Sequence, residues 1–150
     1  MTTRAAIDDF LAQKEVAVVG VSRKGNKFGN TVYRELKARG YRVFPINPHA
    51  ETIEGDRCYP HVGALPKRVE NVLVVVPPEE TEKVVQDAVA SGIRRVWMQQ
   101  GAESEKAIHF CEKNNIRVVH GECILMFAQP TAFFHRMHRW VRGLLGKLPR

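Results

Sequence analysis

The sequence predicts an α/β domain: a doubly wound sheet of about five mainly parallel strands, with helices on both faces. Short runs of β-branched and other apolar residues alternate along the chain with amphipathic stretches of helical period. Glycine or proline marks most of the boundaries between them. Right-handed crossovers turn such an alternation into a parallel sheet covered on both sides. The chain has 150 residues, 44% hydrophobic and 26% charged. That reads as one domain, 1–150, able to bury a core without disulfides or metals.

Each element has its own signal. IDDFLAQ, Ile7 to Gln13, is expected to be a first helix, and EVAVVGV, Glu15 to Val21, a buried strand. Phe28 to Arg39 is amphipathic, with Gly40 as its stop. YRVFPIN is a second strand, with Pro45 near its end and Pro48 just beyond. Residues 48–70 are rich in proline and glycine and read as a loop with at most a short helix. NVLVVVPP gives the strongest strand signal, Val72 to Val76 being four valines and a leucine before two prolines. EETEKVVQDAVASG follows as a helix, with Val84, Val85, Ala88 and Val89 on one side and Gly92 as a stop. IRRVWMQQG, ESEKAIHFCEKNN and IRVVHG complete the series as strand, helix and strand.

The net charge is +7, but Glu122 is the last acid. The five basic residues after it leave only +2 on residues 1–122. A nearly neutral body argues against a protein built to coat nucleic acid. No apolar run approaches the roughly 20 residues of a membrane helix. The opening MTTRAAIDDFLAQKE lacks the apolar core of a signal peptide. Cys58, Cys111 and Cys123 cannot all pair with one another, which suits a reducing, cytoplasmic setting.

The turn from the first strand into its helix, VAVVGVSRKGNKFGN, is the main functional signal. Gly20, Ser22, Gly25 and Gly29 are small enough for the backbone to approach an anion. The helix that follows offers unpaired N–H groups and the positive end of its dipole. Arg23, Lys24 and Lys27 add positive charge. The alternative is a tight β–α turn with solvated lysines; the loop by itself leaves both open. A dinucleotide site for NAD usually carries an acid near the end of the second strand. Asn47 and Pro48 stand there instead, and Glu51 lies further on.

The stretches VVGVSRKGNKFGN, GYRVFPINP, EGDRCYP, VVVPPEETEKVV and VWMQQGAES, in this order, resemble the CoA-binding domain family. That family includes small stand-alone bacterial proteins, and a similar domain forms the N-terminal part of the succinyl-CoA synthetase α subunit. The likeness covers Ile7 to Cys123. It implies a Rossmann-like domain that binds coenzyme A, or an acyl-CoA, across the strand ends. By the family's pattern Gly20, Ser22, Arg23 and the turn Lys27, Phe28, Gly29, Asn30 would hold the pyrophosphate. Asn47, Pro48 and His49, with Val76, Pro77 and Pro78, would border the nucleotide. Gln99, Gln100, Gly101 and Ala102 would face the pantetheine arm. The chain departs from many stand-alone members by reading HGECIL where they have Asp-Arg-Cys, and VPPEE where they have an arginine-containing loop.

In succinyl-CoA synthetase the phosphorylated histidine sits in a further domain, for which there is no room after residue 123. The expectation is therefore binding without independent catalysis, and no catalytic residue is assigned. A small NAD(P)- or nucleotide-dependent oxidoreductase is the enzyme-class alternative. An interaction module with a vestigial pocket is the other. His120, Cys123, His135 and His138 carry ligand-type atoms, but their spacing matches no standard zinc module. Cys123 near a CoA thiol would suggest a mixed disulfide; an inert packing role is favoured, as for Cys58 and Cys111. Trp97 is assigned to the core. His49 and His61 fall in the prolyl loop and His109 on a helix surface.

A basic amphipathic helix is expected at the C-terminus, in ILMFAQPTAFFHRMHRWVRGLLGKLPR. Pro130 and Thr131 would start it, and Phe133, Met137, Trp140, Val141, Leu144 and Leu148 recur at helical spacing. His135, Arg136, Arg139 and Arg142 lie mainly elsewhere around it, and Gly143 and Gly146 interrupt it. Packing on the flank of the sheet is the favoured role. A surface for a homo-oligomer or an acyl-CoA ligase partner comes second. Contact with anionic lipid comes third, weakened by the short length and the two glycines.

Overall fold

A computed structural model describes residues 2–128. In chain order it contains α1 (Arg4–Ala12), β1 (Glu15–Val19), α2 (Phe28–Ala38) and β2 (Arg42–Ile46). A small hairpin follows, β3 (Thr52–Ile53) and β4 (Asp56–Arg57), then a 3-10 turn at Val62–Ala64. The rest is β5 (Asn71–Val74), α3 (Pro78–Ala90), β6 (Arg95–Gln99), α4 (Glu105–Lys113), β7 (Arg117–Glu122) and a 3-10 turn at Ile124–Met126. Among the described residues no helix is long and apolar enough to cross a membrane. The expected C-terminal helix, with His135 and His138, lies outside them.

Five strands form one parallel sheet in the order β2-β1-β5-β6-β7. With helices on both faces, this is a Rossmann-like α/β fold. Each inner strand is buried on both sides, which is why the sequence shows unbroken apolar runs rather than alternation. On one face Ile7 and Phe10 of α1 and Val32, Tyr33 and Leu36 of α2 pack against Val16, Val18, Leu73, Trp97 and Val119. The Trp97 ring meets Phe10 edge-on at 5.4 Å, and its Nε1 donates to the Glu122 carbonyl oxygen. On the other face Val85 and Ala88 of α3 and Ala107 and Cys111 of α4 cover Ala17, Val72, Val74, Val96 and Met98. Trp97, Cys58 and Cys111 are thus buried packing residues, as expected.

The helix ends follow local chemistry. Thr3 Oγ1 accepts from Ala6 N, and Ser104 Oγ from Ala107 N, capping α1 and α4. The chain leaves α2 at Gly40, whose φ is +93°. There Tyr41 N donates back to the Leu36 carbonyl at 3.1 Å.

Residues 48–70 contain more structure than a loop with a short helix. The β3–β4 hairpin turns through Glu54 and Gly55, both at positive φ. Asp56 is held by the Tyr33 hydroxyl and, at 2.6 Å, by Lys37 Nζ of α2. Two-residue strands carry almost no periodic signal; side chains distant in sequence fix this hairpin.

Candidate functional site

The strand order reverses between β1 and β5. In an open α/β sheet that is where a crevice forms beyond the carboxyl ends of the strands. A cleft of about 510 Å³ opens there, lined by Gly20, Lys27, Phe28, Gly29, Val75, Val76, Pro77, Glu80, Gln99, Gln100, Gly101 and Ala102. Three turns build it: β1 into α2, β5 into α3, and β6 into α4.

Glycine closes the first turn tightly. Gly20 has φ +120°, and a Cβ there would lie 2.1 Å from the Val75 carbonyl oxygen. A Cβ on Gly29 would lie 2.2 Å from the Gly20 carbonyl oxygen. Gly29 therefore lets α2 press against the end of β1, and Gly20 lets that end press against β5. Lys27 is the N-cap of α2 and makes no side-chain capping bond. The N–H groups of Phe28 and Gly29 accordingly have no acceptor among the described residues, whereas Asn30 N donates to the Lys27 carbonyl at 3.0 Å. Phe28, on the rim, is 51% exposed, and it is the large apolar side chain left in solvent among the described residues.

The two asparagines of the expected site serve as braces. Asn30 is fully buried. Its Oδ1 accepts from Ser22 N at 2.8 Å, and its Nδ2 donates to the Ser22 carbonyl at 2.9 Å. Asn47 Nδ2 donates to the Val21 carbonyl at 2.9 Å, while its Oδ1 accepts from His49 N. Both amides thus fix the course of residues 21–22. Glu54, at the hairpin tip, completes the brace. Its carboxylate accepts from Asn30 Nδ2 and from Arg34 Nε, and Arg34 Nη2 reaches the Gly25 carbonyl at 2.6 Å. Burial pushes the Glu54 carboxyl up, but the bonds from Arg34 and Asn30 outweigh it and hold it below its ordinary value.

The far side of the cleft is shaped by Thr81 and Gln99. Thr81, fully buried, donates from Oγ1 to the Ala102 carbonyl at 2.7 Å. Gln99 is buried, and its Oε1 accepts from Ile124 N. Ala102 N donates to the Gln99 carbonyl, and Gly101 N to Glu103 Oε2.

The cleft therefore gathers Gly20, Lys27, Phe28, Gly29, Val76, Pro77, Gln99, Gln100, Gly101 and Ala102 from the expected set. Ser22 and Asn30 are not among the cleft-lining residues. Pro48 and His49 line a neighbouring hollow with Ala50, Glu51, Arg57, Cys58 and Pro60. Arg23 and Pro78 are not among the cleft-lining residues, and Cys123 packs beside the first core layer. Sequence reasoning missed Val75, Glu80, Thr81 and the Glu54–Arg34 brace. For Glu80 a signal existed: it falls in the first turn of the helix after the third long strand, at the same end of the sheet as the glycine loop. Among the described residues no group of three or more His, Cys, Asp or Glu is placed to hold a metal.

The chain is similar to known proteins over most of its length. It is 29% identical over 122 residues to an ADP-forming acetate–CoA ligase II of Archaeoglobus fulgidus, covering 73% of this chain and 18% of the ligase. It is 24% identical to the uncharacterised protein YneT of Bacillus subtilis, covering 81% of this chain and 91% of that one. Among solved structures, a conserved hypothetical protein of Pyrococcus furiosus is 40% identical, with a TM-score of 0.71 over 74% of this chain and 96% of the other. The chain spans less than a fifth of the length of the Archaeoglobus ligases it matches. The family model of the CoA binding domain matches residues 14–129, and the chain belongs to that family.

Proposed function

We propose that this protein holds coenzyme A, or an acyl-CoA, in the switch-point cleft and carries out no reaction by itself. The observation that carries this reading is the cleft's combination of groups. An uncapped helix N-terminus with Lys27 suits a pyrophosphate. The exposed Phe28 ring suits a base or an apolar arm, and the turn Gln99 to Ala102 suits an amide-bearing chain. A separate hollow at Pro48 and His49 gives a second surface for the nucleotide end. Membership of the CoA binding domain family supports the ligand. In the Archaeoglobus ligase the matched part is a small share of the whole, which supports a module that needs other domains for chemistry. A homo-oligomer or an acyl-CoA ligase subunit in the cytoplasm would be the setting, with residues 130–150 as the contact.

Calorimetry with CoA, acetyl-CoA, NAD and NADP tests the ligand. CoA or acetyl-CoA should bind and the other two should not. Phe28→Ala should weaken CoA by roughly tenfold, the scale of one aromatic stack. NAD binding without CoA would favour the oxidoreductase reading. No binding at all would shift attention to residues 130–150 and a protein partner. The purified chain given an acid, ATP and CoA should form no acyl-CoA.

A further inference from the structure

We infer that the cleft is electrically polarised and that Glu80 makes it discriminate against acyl groups carrying a carboxylate. The inference rests on the CoA reading above and adds to it the class of acyl group that fits. On the β1 side stand Lys27 and the uncapped N-terminus of α2, both positive. The β5 and β6 side differs in three ways. Glu80 lines the cleft from the first turn of α3, and its carboxylate makes no hydrogen bond or ion pair among the described residues. Pro77 and Pro78 begin that helix, so two of the donors that a helix N-terminus normally turns toward an anion are missing. On the β6 turn the Gly101 N–H is already given to the Glu103 carboxylate at 3.1 Å.

A polyanionic nucleotide placed on the positive side sends its neutral pantetheine arm toward Val76, Pro77 and the Gln99–Ala102 turn. The acyl group then ends beside Glu80. An uncharged acyl group meets only a solvated carboxylate there. A second carboxylate meets like charge, with two helix donors removed by the prolines and the Gly101 N–H already engaged. Glu80 is exposed, so the repulsion is screened and the discrimination is a matter of roughly threefold to tenfold, not orders of magnitude.

The test compares propionyl-CoA with malonyl-CoA, matched in carbon count, by calorimetry at low salt. Wild type should bind propionyl-CoA roughly fivefold more tightly. Glu80→Gln should close most of that gap, and Glu80→Lys should reverse it. Raising the salt to 0.5 M should shrink the wild-type preference. The readout is the ratio of two affinities within each variant, so a general change in affinity or stability does not mimic it. Equal affinities in wild type, or a gap unchanged in Glu80→Lys, would overturn the role of Glu80 while leaving CoA binding intact. Failure of CoA and both acyl-CoAs to bind would overturn the underlying reading, and this one with it.

Discussion

A methyl group added at Gly20 would sit 2.1 Å from the Val75 carbonyl oxygen, and one at Gly29 2.2 Å from that of Gly20. Neither neighbour is the end of a flexible side chain; both are backbone at the centre of the fold. Gly29→Ala is therefore expected to destabilise the protein by about 2–4 kcal/mol in urea unfolding. Gly40→Ala has open space around its Cβ but a φ of +93°, and should cost only about 1 kcal/mol. Equal losses at the two positions would remove the packing argument. The sequence pointed to Gly29 as part of a phosphate loop, and it does line the cleft. Its contact with Gly20 could not be read from spacing, because it depends on how closely a helix approaches a strand. Asn30 and Asn47 show the same limit: their positions were legible, but the backbone groups that occupy their amides were not. Cysteine chemistry also belongs to this scale. Burial pushes the Cys111 thiol up to about 12 and raises that of Cys58. Brief alkylation of the folded protein at pH 8 should modify Cys123 and spare both, as intact mass would show.

Elements found from sequence were those with long local patterns. The valine runs of β1 and β5, and the apolar stripes of α2 and α3 ended by Gly40 and Gly92, were legible because neighbours in the chain determine them. The β3–β4 hairpin was not, since Tyr33, Arg34 and Lys37 of α2 hold it from some 20 residues away. Its tip braces the cleft loop through Glu54. Glu54→Ala should leave Asn30 and Arg34 short of an acceptor and weaken CoA binding severalfold, with a stability loss of about 1 kcal/mol. Unchanged CoA affinity would reduce the hairpin to a surface ornament. A second tie joins α1 to the sheet: Asp9 accepts from Arg95 Nε at 2.7 Å and lies 3.1 Å from Arg117 Nη1. The Arg95 hydrogen bond, helped by the charges of Arg95 and Arg117, holds the Asp9 carboxyl below its usual value against the opposing effect of burial. Because the folded value is lowered, this contribution is complete above the ordinary carboxylate range. It disappears as the pH falls through the lowered value. Asp9→Asn should cost about 1 kcal/mol at neutral pH, and the difference should shrink as the solution is acidified below the ordinary carboxylate range. A pH-independent difference would mean that Asp9 acts by shape alone.

For the whole molecule, the described residues already hold a folded core and the candidate cleft. Among the described residues, those lining the switch-point cleft all lie from Gly20 to Ala102. Among the described residues the first core layer runs through to Ala128, which is fully buried. Arg39, itself buried, donates to the Leu125 carbonyl at 3.2 Å and fastens the end of the described chain to α2. The sequence gives residues 130–150 an apolar stripe from Phe133 to Leu148, and a stripe of that kind needs a surface to cover it. Removing 130–150 should then lower the melting temperature while CoA still binds and still stabilises, by about 2.7 kcal/mol at a hundredfold excess over Kd. The two readouts test different things. A truncated chain that melts like the full one would show that the stripe serves a partner, not the sheet. A truncated chain that keeps its fold but loses CoA would show that the segment completes the site, and the cleft from Gly20 to Ala102 would no longer account for binding.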